Sequence, residues 1–96
     1  MSMKIIYTSQ FKKDYKRYKN DTDKIERLAE VINMLANGEE LPERCRPHKL
    51  SGQYNDCMEC HVGGDFLLIW IDQETEVIEL VRVGSHSELF GHGKKK

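Results

Sequence analysis

Residues able to move protons and bind a phosphate concentrate in the second half of the chain, at His48, His61, Asp65, Arg82 and His86. Two imidazoles that titrate near neutrality can act as base and acid in one reaction, and a guanidinium can stabilise the charge that develops between them. In RNA the ribose 2′-hydroxyl can attack the adjacent phosphate, so a protein need supply only proton transfer, charge and geometry. The set therefore predicts RNA cleavage without a metal or other cofactor.

The residue types leave the division of roles partly open. His86 follows Arg82 at the edge of a strand, and we expect it to be the general acid that protonates the leaving 5′-oxygen. The general base is His48, His61 or an Asp65–His61 pair, and these groups would titrate as one coupled unit. Arg82 is expected to stabilise the charge on the phosphate.

Composition limits the class of protein. Ninety-six residues, 39% apolar and 32% charged, predict one small domain over residues 1–96, with 91–96 as a flexible basic tail. No apolar run approaches the ~20 residues of a membrane helix, and the N-terminus lacks a hydrophobic signal core, so we expect a cytoplasmic protein. Three cysteines are an odd number for a disulfide framework, and we expect reduced thiols.

The charge is unevenly distributed, although the net charge is −1. Residues 1–50 hold eleven Lys and Arg against eight Asp and Glu, whereas residues 51–96 hold four against eight. The positive charge concentrates at residues 12–19 and again at Arg44, Arg46 and Lys49. It indicates either a solvated helix face or a patch that contacts phosphates.

The elements that position these residues follow from the apolar pattern. Residues 4–8 predict a strand, after which Ser9 caps a helix that ends near Asn20. Asp23, followed by Glu26, predicts the start of a second helix that Asn37 and Gly38 end. Residues 38–53 read as an extended loop that carries His48 and is tacked to the core by Leu41, Cys45 and Leu50.

Three strand-like runs follow, at residues 54–62, 65–72 and 76–83, with a terminal turn at 87–90. Their short connections predict an antiparallel meander. The fold class is therefore α+β, a single small domain of strand, helix, helix and three-stranded meander, with the two-helix hairpin on one face of the sheet.

Strand alternation predicts where the polar side chains point. Val77, Val81 and Val83 share one face that suits the helices, which would leave Arg82 on the open face. A two-residue loop at Gly63-Gly64 would place His61 beside Phe66, whereas a three-residue loop would pair His61 directly with Asp65. We favour the second register, in which the carboxylate orients the imidazole.

A cofactor motif competes with this interpretation. Cys57, Cys60 and His61 fit the C-x-x-C-H pattern of c-type haem attachment, and with His48 they could bind zinc. Covalent haem needs an exported protein, and cysteines three apart on a strand point to opposite faces. The sequence therefore disfavours both sites.

Three segments, residues 48–52, 59–70 and 82–90, together closely resemble the YafQ branch of the RelE-like toxins. The resemblance covers nearly the whole chain and includes the order of the predicted elements. It implies a RelE-like fold and a type II toxin that enters the A site of the 70S ribosome and cleaves translated mRNA. It also implies inhibition by a cognate DinJ- or RelB-like antitoxin, with operator DNA bound only through the antitoxin, and no membrane partner.

The same resemblance suggests site residues. By motif, His48, His61, Asp65 and His86 match the catalytic group, with Arg82 in the same pocket. Phe66 and Phe90 fall where the family uses aromatic residues, although Phe66 stands where tryptophan is often found. Arg46 and Lys49 are expected to contact the RNA.

A non-enzymatic hypothesis remains. The protein could be a catalytically inactive module that uses the same fold to grip an antitoxin-type helix. The aromatic stripe of Phe11, Tyr15 and Tyr18 and the basic loop 44–49 could both serve such binding.

Overall fold

A computed structural model describes residues 3–73 and 76–91. Within this part of the chain, five strands form one sheet, and three α-helices accompany them. The strands are β1 (Lys4–Tyr7), β2 (His48–Lys49), β3 (Met58–Gly63), β4 (Phe66–Gln73) and β5 (Val77–Gly84). Their order across the sheet is β1-β5-β4-β3-β2. The helices are α1 (Ser9–Tyr18), α2 (Thr22–Ala36) and α3 (His86–Phe90). The predicted α+β class is confirmed, and residues 92–96 of the predicted tail lie outside the described part.

Both long helices begin at side-chain caps one or two residues earlier than the sequence predicts. Thr8, rather than Ser9, caps α1 by accepting a hydrogen bond from the backbone amide of Phe11. Asp21, rather than Asp23, caps α2 by accepting from the amide of Lys24. Either residue of each pair can cap a helix, so the choice depends on where tertiary packing starts the helical turn.

The sheet is wider than the predicted meander. Strands β3, β4 and β5 are antiparallel, as expected, but β1 pairs in parallel with β5 at one edge. At the other edge the two-residue strand β2 pairs with β3, placing His48 opposite Glu59. The loop that carries His48 is therefore fixed to the sheet by backbone hydrogen bonds.

Two clusters of buried side chains cover the two faces of the sheet. The larger cluster joins Phe11 of α1 and Leu28 of α2 to Leu68, Leu80 and Val83 of the sheet. The smaller one joins Tyr54, Leu67, Ile69 and Leu89 on the opposite face. Cys45 and Leu41 pack with the first cluster and Leu50 with the second, so the predicted attachment of the loop is confirmed.

A β-bulge in β5 overturns the predicted alternation of that strand. Trp70 pairs with Leu80 while Ile69 pairs with Arg82, which leaves Val81 as an extra residue. Ile78, Leu80 and Val83 consequently face the helices, and Val81 packs on the opposite side. The prediction of a common valine face was wrong because it assumed an uninterrupted two-residue period. Among the described residues, no helix is long and apolar enough to cross a membrane.

Candidate active site

Asp65 and His86 are joined by two hydrogen bonds. Oδ1 of Asp65 lies 2.7 Å from Nδ1 of His86 and accepts the backbone amide of the same residue at 3.0 Å. Both side chains are more than half exposed. The two hydrogen bonds lower the pKa of Asp65, the backbone bond contributing most. An ionised Asp65 therefore fixes the ring and the first residue of α3 together.

The turn between β3 and β4 explains why Asp65 reaches His86 and not His61. Gly63 pairs with Phe66 across a two-residue loop, while His61 pairs with Leu67, with an irregularity between them. The favoured pairing of His61 with Asp65 was wrong, because neither simple loop length includes the extra residue of a bulge. Gly64, with φ of 54°, adopts the left-handed backbone that glycine allows in such a turn.

The rings of His61 and Phe90 complete the exposed surface around His86. The centroid of the His86 ring lies 6.0 Å from that of His61 and 6.1 Å from that of Phe90. Phe90 is 40% exposed. The two imidazole rings are tilted by 58°, and their separation leaves room for a phosphate between their nitrogens, beside an aromatic ring on which a base could stack.

His48 contacts Glu59, which lies on the neighbouring strand β3. Its Nε2 is 3.1 Å from Oε1 of Glu59, a buried carboxylate, and its Nδ1 is 2.8 Å from the carbonyl oxygen of Arg46. Glu59 is two residues before His61 on β3, so both side chains lie on the same face of the sheet. Both ring nitrogens of His48 therefore lie within hydrogen-bonding distance of acceptors.

Arg82 is held by partners that the sequence analysis did not identify. Its Nε and Nη2 donate to the two carboxylate oxygens of Asp14 at 2.7 and 3.0 Å, and its Nη1 donates to the Tyr54 hydroxyl at 3.2 Å. Asp14 is fully buried on α1 and also accepts the amide of Val83 at 3.1 Å. The bidentate contact raises the pKa of Arg82 further above its already high ordinary value. The guanidinium fork is therefore directed at Asp14 and Tyr54.

The remaining predicted contact residues divide between core and surface. Phe66 is 1% exposed, and the centroid of its ring lies 4.7 Å from that of Tyr18. Because it is buried on the helix side of the sheet, the structure contradicts the prediction that it stacks on a base. Its position directly after Asp65 did not reveal which face it would occupy. Arg46 and Lys49 are exposed, next to His48.

The three cysteines are free and buried. Cys60 belongs to the cluster under the helices and Cys57 to the cluster on the opposite face, as strand alternation predicts. Burial raises the pKa of the Cys60 thiol to about 12, which disfavours the thiolate that a metal would require. Within the described ranges, no group of three or more His, Cys, Asp or Glu side chains is arranged to hold a metal ion.

Helix α3, which begins with His86, is tied to α1 by a cluster that sequence reasoning missed. The Glu88 carboxylate accepts hydrogen bonds from the Tyr18 hydroxyl and from the amide of Ser85, and Arg17 lies 3.5 Å from it. Ser85 and Glu88 form a capping box, a signal that the S-x-x-E spacing carries in the sequence. Burial and the Glu88 contact raise the pKa of Tyr18 to about 12.

A second surface feature is an apolar groove of about 590 Å³ between α1 and α2. Tyr7 and Tyr15 line it and are 48% and 38% exposed, and Lys12 and Lys16 also line it. The aromatic stripe of α1 therefore divides: Phe11 is buried, Tyr18 packs near α3, and Tyr15 opens into the groove.

Comparison with known proteins assigns this architecture to a family. The sequence model of one protein family, described as the bacterial toxin YafQ of type II toxin-antitoxin systems, matches residues 3–91. The chain belongs to the YafQ family. A YafQ toxin homologue of Haemophilus influenzae is 27% identical over 92 residues, which cover 90% of each chain.

Solved YafQ structures share the fold. The crystal structure of YafQ from Escherichia coli strain BL21(DE3) is 27% identical, with a TM-score of 0.85 over 93% of this chain and 99% of that one. The toxin in the E. coli DinJ-YafQ toxin-antitoxin complex is also 27% identical, with a TM-score of 0.83 over 95% and 100% of the two chains. The predicted YafQ and RelE-like resemblance is thus confirmed.

Proposed function

We propose that this toxin is an endoribonuclease of the bacterial cytoplasm that cleaves translated mRNA in the A site of the 70S ribosome. In this reaction the ribose 2′-hydroxyl attacks its own neighbouring phosphate and expels the 5′-oxygen of the next nucleotide. The observation that carries the proposal is the His61–His86 pair, in which one of two facing imidazoles is oriented by an ionised carboxylate.

The geometry favours one assignment of acid and base. Asp65 accepts a hydrogen bond from Nδ1–H of His86. The opposite nitrogen, Nε2, is then the one that donates a proton to the leaving 5′-oxygen. His61 faces His86 and is the preferred base that removes the 2′-hydroxyl proton. His48, with both nitrogens directed at acceptors, contributes positive charge near the scissile phosphate.

RNA contacts surround this centre. Phe90 offers an exposed ring beside His86 for base stacking, and Arg46 and Lys49 offer charge for the backbone. These contacts are sequence-tolerant, since stacking and phosphate contacts do not read a base edge. In this proposal the ribosome presents the message to the toxin in a fixed register.

We also propose that a cognate DinJ-like antitoxin neutralises this toxin by placing an amphipathic acidic segment in the α1–α2 groove. The groove is apolar, two exposed tyrosines line it, and Lys12 and Lys16 complement negative charge. An E. coli relative is known in complex with DinJ. Operator DNA would then be bound by the antitoxin and not by this chain.

The decisive experiment is induced expression of the wild type and of His86→Ala in bacteria, with translation rate and mRNA 5′-ends measured in the same cultures. We expect growth arrest and new cuts inside translated messages for the wild type, and neither for the variant. The matched control is Ser87→Ala, an exposed neighbour in α3. Arrest by both proteins without new 5′-ends would instead favour a catalytically inactive binding module.

A further inference from the structure

The Tyr54 hydroxyl connects the partly buried Arg82 to the helix that carries His86. It accepts a hydrogen bond from Nη1 of Arg82 and donates one to the backbone carbonyl of Leu89, both at 3.2 Å. A guanidinium can only donate, so the phenol proton is directed at the carbonyl. The hydroxyl therefore has a fixed donor direction, from the sheet towards α3.

Arg82 in turn is oriented by Asp14. The buried carboxylate accepts both Nε and Nη2, which leaves Nη1 pointing at Tyr54. Because Asp14 also accepts the amide of Val83, its own position is fixed by the backbone of β5. Arg82 therefore donates hydrogen bonds to Asp14 and to Tyr54, and Tyr54 in turn donates one to the carbonyl of Leu89.

Helix α3 depends on such outside contacts. It has only five residues, too few to persist alone, and the Leu89 carbonyl of its last turn accepts a hydrogen bond from Tyr54, outside the helix. Its first residue is His86 and its last is Phe90, the two residues that the proposed cleavage places at the acid position and at the stacking surface. The ring of Tyr54 also meets that of Phe90 edge-on, with centroids 5.6 Å apart.

We propose that Tyr54 is a positioning residue for the cleavage reaction, and that its hydroxyl, oriented by Arg82 and Asp14, sets the placement of α3 and thereby of His86. This inference rests on the proposed function for its catalytic consequence. It assigns Arg82 a role through Tyr54, in place of the direct phosphate contact that the sequence suggested. Neither residue is required to touch the substrate.

The test compares Tyr54→Phe with the wild type. Phenylalanine keeps the ring and its contact with Phe90 but removes both hydrogen bonds. The matched control is Ser51→Ala, which removes a hydroxyl from the same segment where it makes no capping hydrogen bond. Two quantities are measured: the single-turnover rate of mRNA cleavage on programmed ribosomes, and the ring ¹⁵N signals of His86, assigned with His86→Gln.

For Tyr54→Phe we expect the rate of the chemical step to fall about tenfold, as for a small misplacement of a catalytic group, with the half-saturating ribosome concentration unchanged. The ¹⁵N signals of His86 should shift, because the Nδ1 bond to Asp65 changes. In the His86→Gln background the same substitution should cause no further loss of rate. Ser51→Ala should match the wild type in every measurement.

Unchanged His86 signals in a folded Tyr54→Phe protein would overturn the inference, whatever the rate. A full additional loss in the His86→Gln background would also overturn it, since the hydroxyl would then act independently of His86. If the wild type itself cleaves no message, the proposed function fails, and the NMR comparison alone still decides whether Tyr54 positions His86.

Discussion

Two N–H groups of His86, one on the backbone and one on the ring, point at the same oxygen of Asp65. One carboxylate thus fixes where α3 begins and which ring nitrogen faces away from the protein. Catalytic imidazoles commonly need such an orienting acceptor, because the proton must leave from the opposite nitrogen. Here the acceptor comes from a turn between two other strands.

Asp65 should titrate below its ordinary pKa of 3.8, because the backbone amide and the ring of His86 stabilise the charged form. Its contribution to stability is therefore complete above that ordinary value and is lost as the pH falls through the lowered pKa. Carboxyl ¹³C NMR titration measures this directly.

In His86→Ala the pKa of Asp65 should rise only partway, since the backbone bond is the larger cause and remains. Asp21 is an internal control: its pKa is lowered by Lys24, at the start of α2, and should not respond to the substitution. A pKa of Asp65 that is unaltered by loss of the ring would contradict the ring contact.

If cleavage follows the proposed mechanism, its rate should show a bell-shaped pH dependence, because that mechanism needs one deprotonated and one protonated imidazole. The measurement is the single-turnover rate on ribosomes as a function of pH. In His61→Ala, which lacks the proposed base, the rate should no longer rise with pH on the acidic side. In His86→Ala, which lacks the proposed acid, it should no longer fall on the alkaline side. Each variant should be about 10² to 10⁴ times slower at the optimum. A His48→Gln variant that keeps both limbs would support His61 as the base, whereas loss of the acidic limb in that variant would assign the base to His48.

Asp14→Ala should destabilise the protein strongly, because it leaves the Arg82 charge and the amide of Val83 without their acceptor. We expect a loss of about 3 kcal/mol in the free energy of unfolding, at the low end for buried pairs because Arg82 keeps some contact with water. Urea denaturation measures it. Asp21→Ala, which removes an exposed acidic cap, should cost much less. Equal losses in the two variants would argue against a special role for the Asp14–Arg82 pair.

Ala29→Glu should weaken binding of the antitoxin, and so prevent inhibition of the toxin, without slowing cleavage. Ala29 is an exposed small residue that lines the α1–α2 groove, so a glutamate there adds bulk and repels an acidic segment. The measurement is growth during co-expression with an antitoxin that rescues the wild-type toxin. Thr22→Glu adds the same side chain to an exposed position of α2 outside the groove and should still be rescued. Rescue of both variants would place the antitoxin elsewhere.

The sequence was sufficient for the order of the main elements, because helix periodicity and caps are local signals. It was insufficient for the bulges at Val81 and near Val62, which shift side chains between faces and cannot be read from alternation. Asp14 illustrates the remaining difficulty. The sequence predicts that an aspartate within a lysine-rich helix is exposed to solvent. Its burial is explained only by its pairing with Arg82, which is 68 residues away in the chain.

The short length of α3 affects how this toxin should lose activity on heating. A five-residue helix secured by Asp65, Glu88 and Tyr54 can detach when a few contacts break, while the sheet and the two long helices remain intact. On heating, cleavage should then cease several degrees before the far-UV circular dichroism changes. The protein would pass through an inactive but folded state, and cooling would restore activity without refolding.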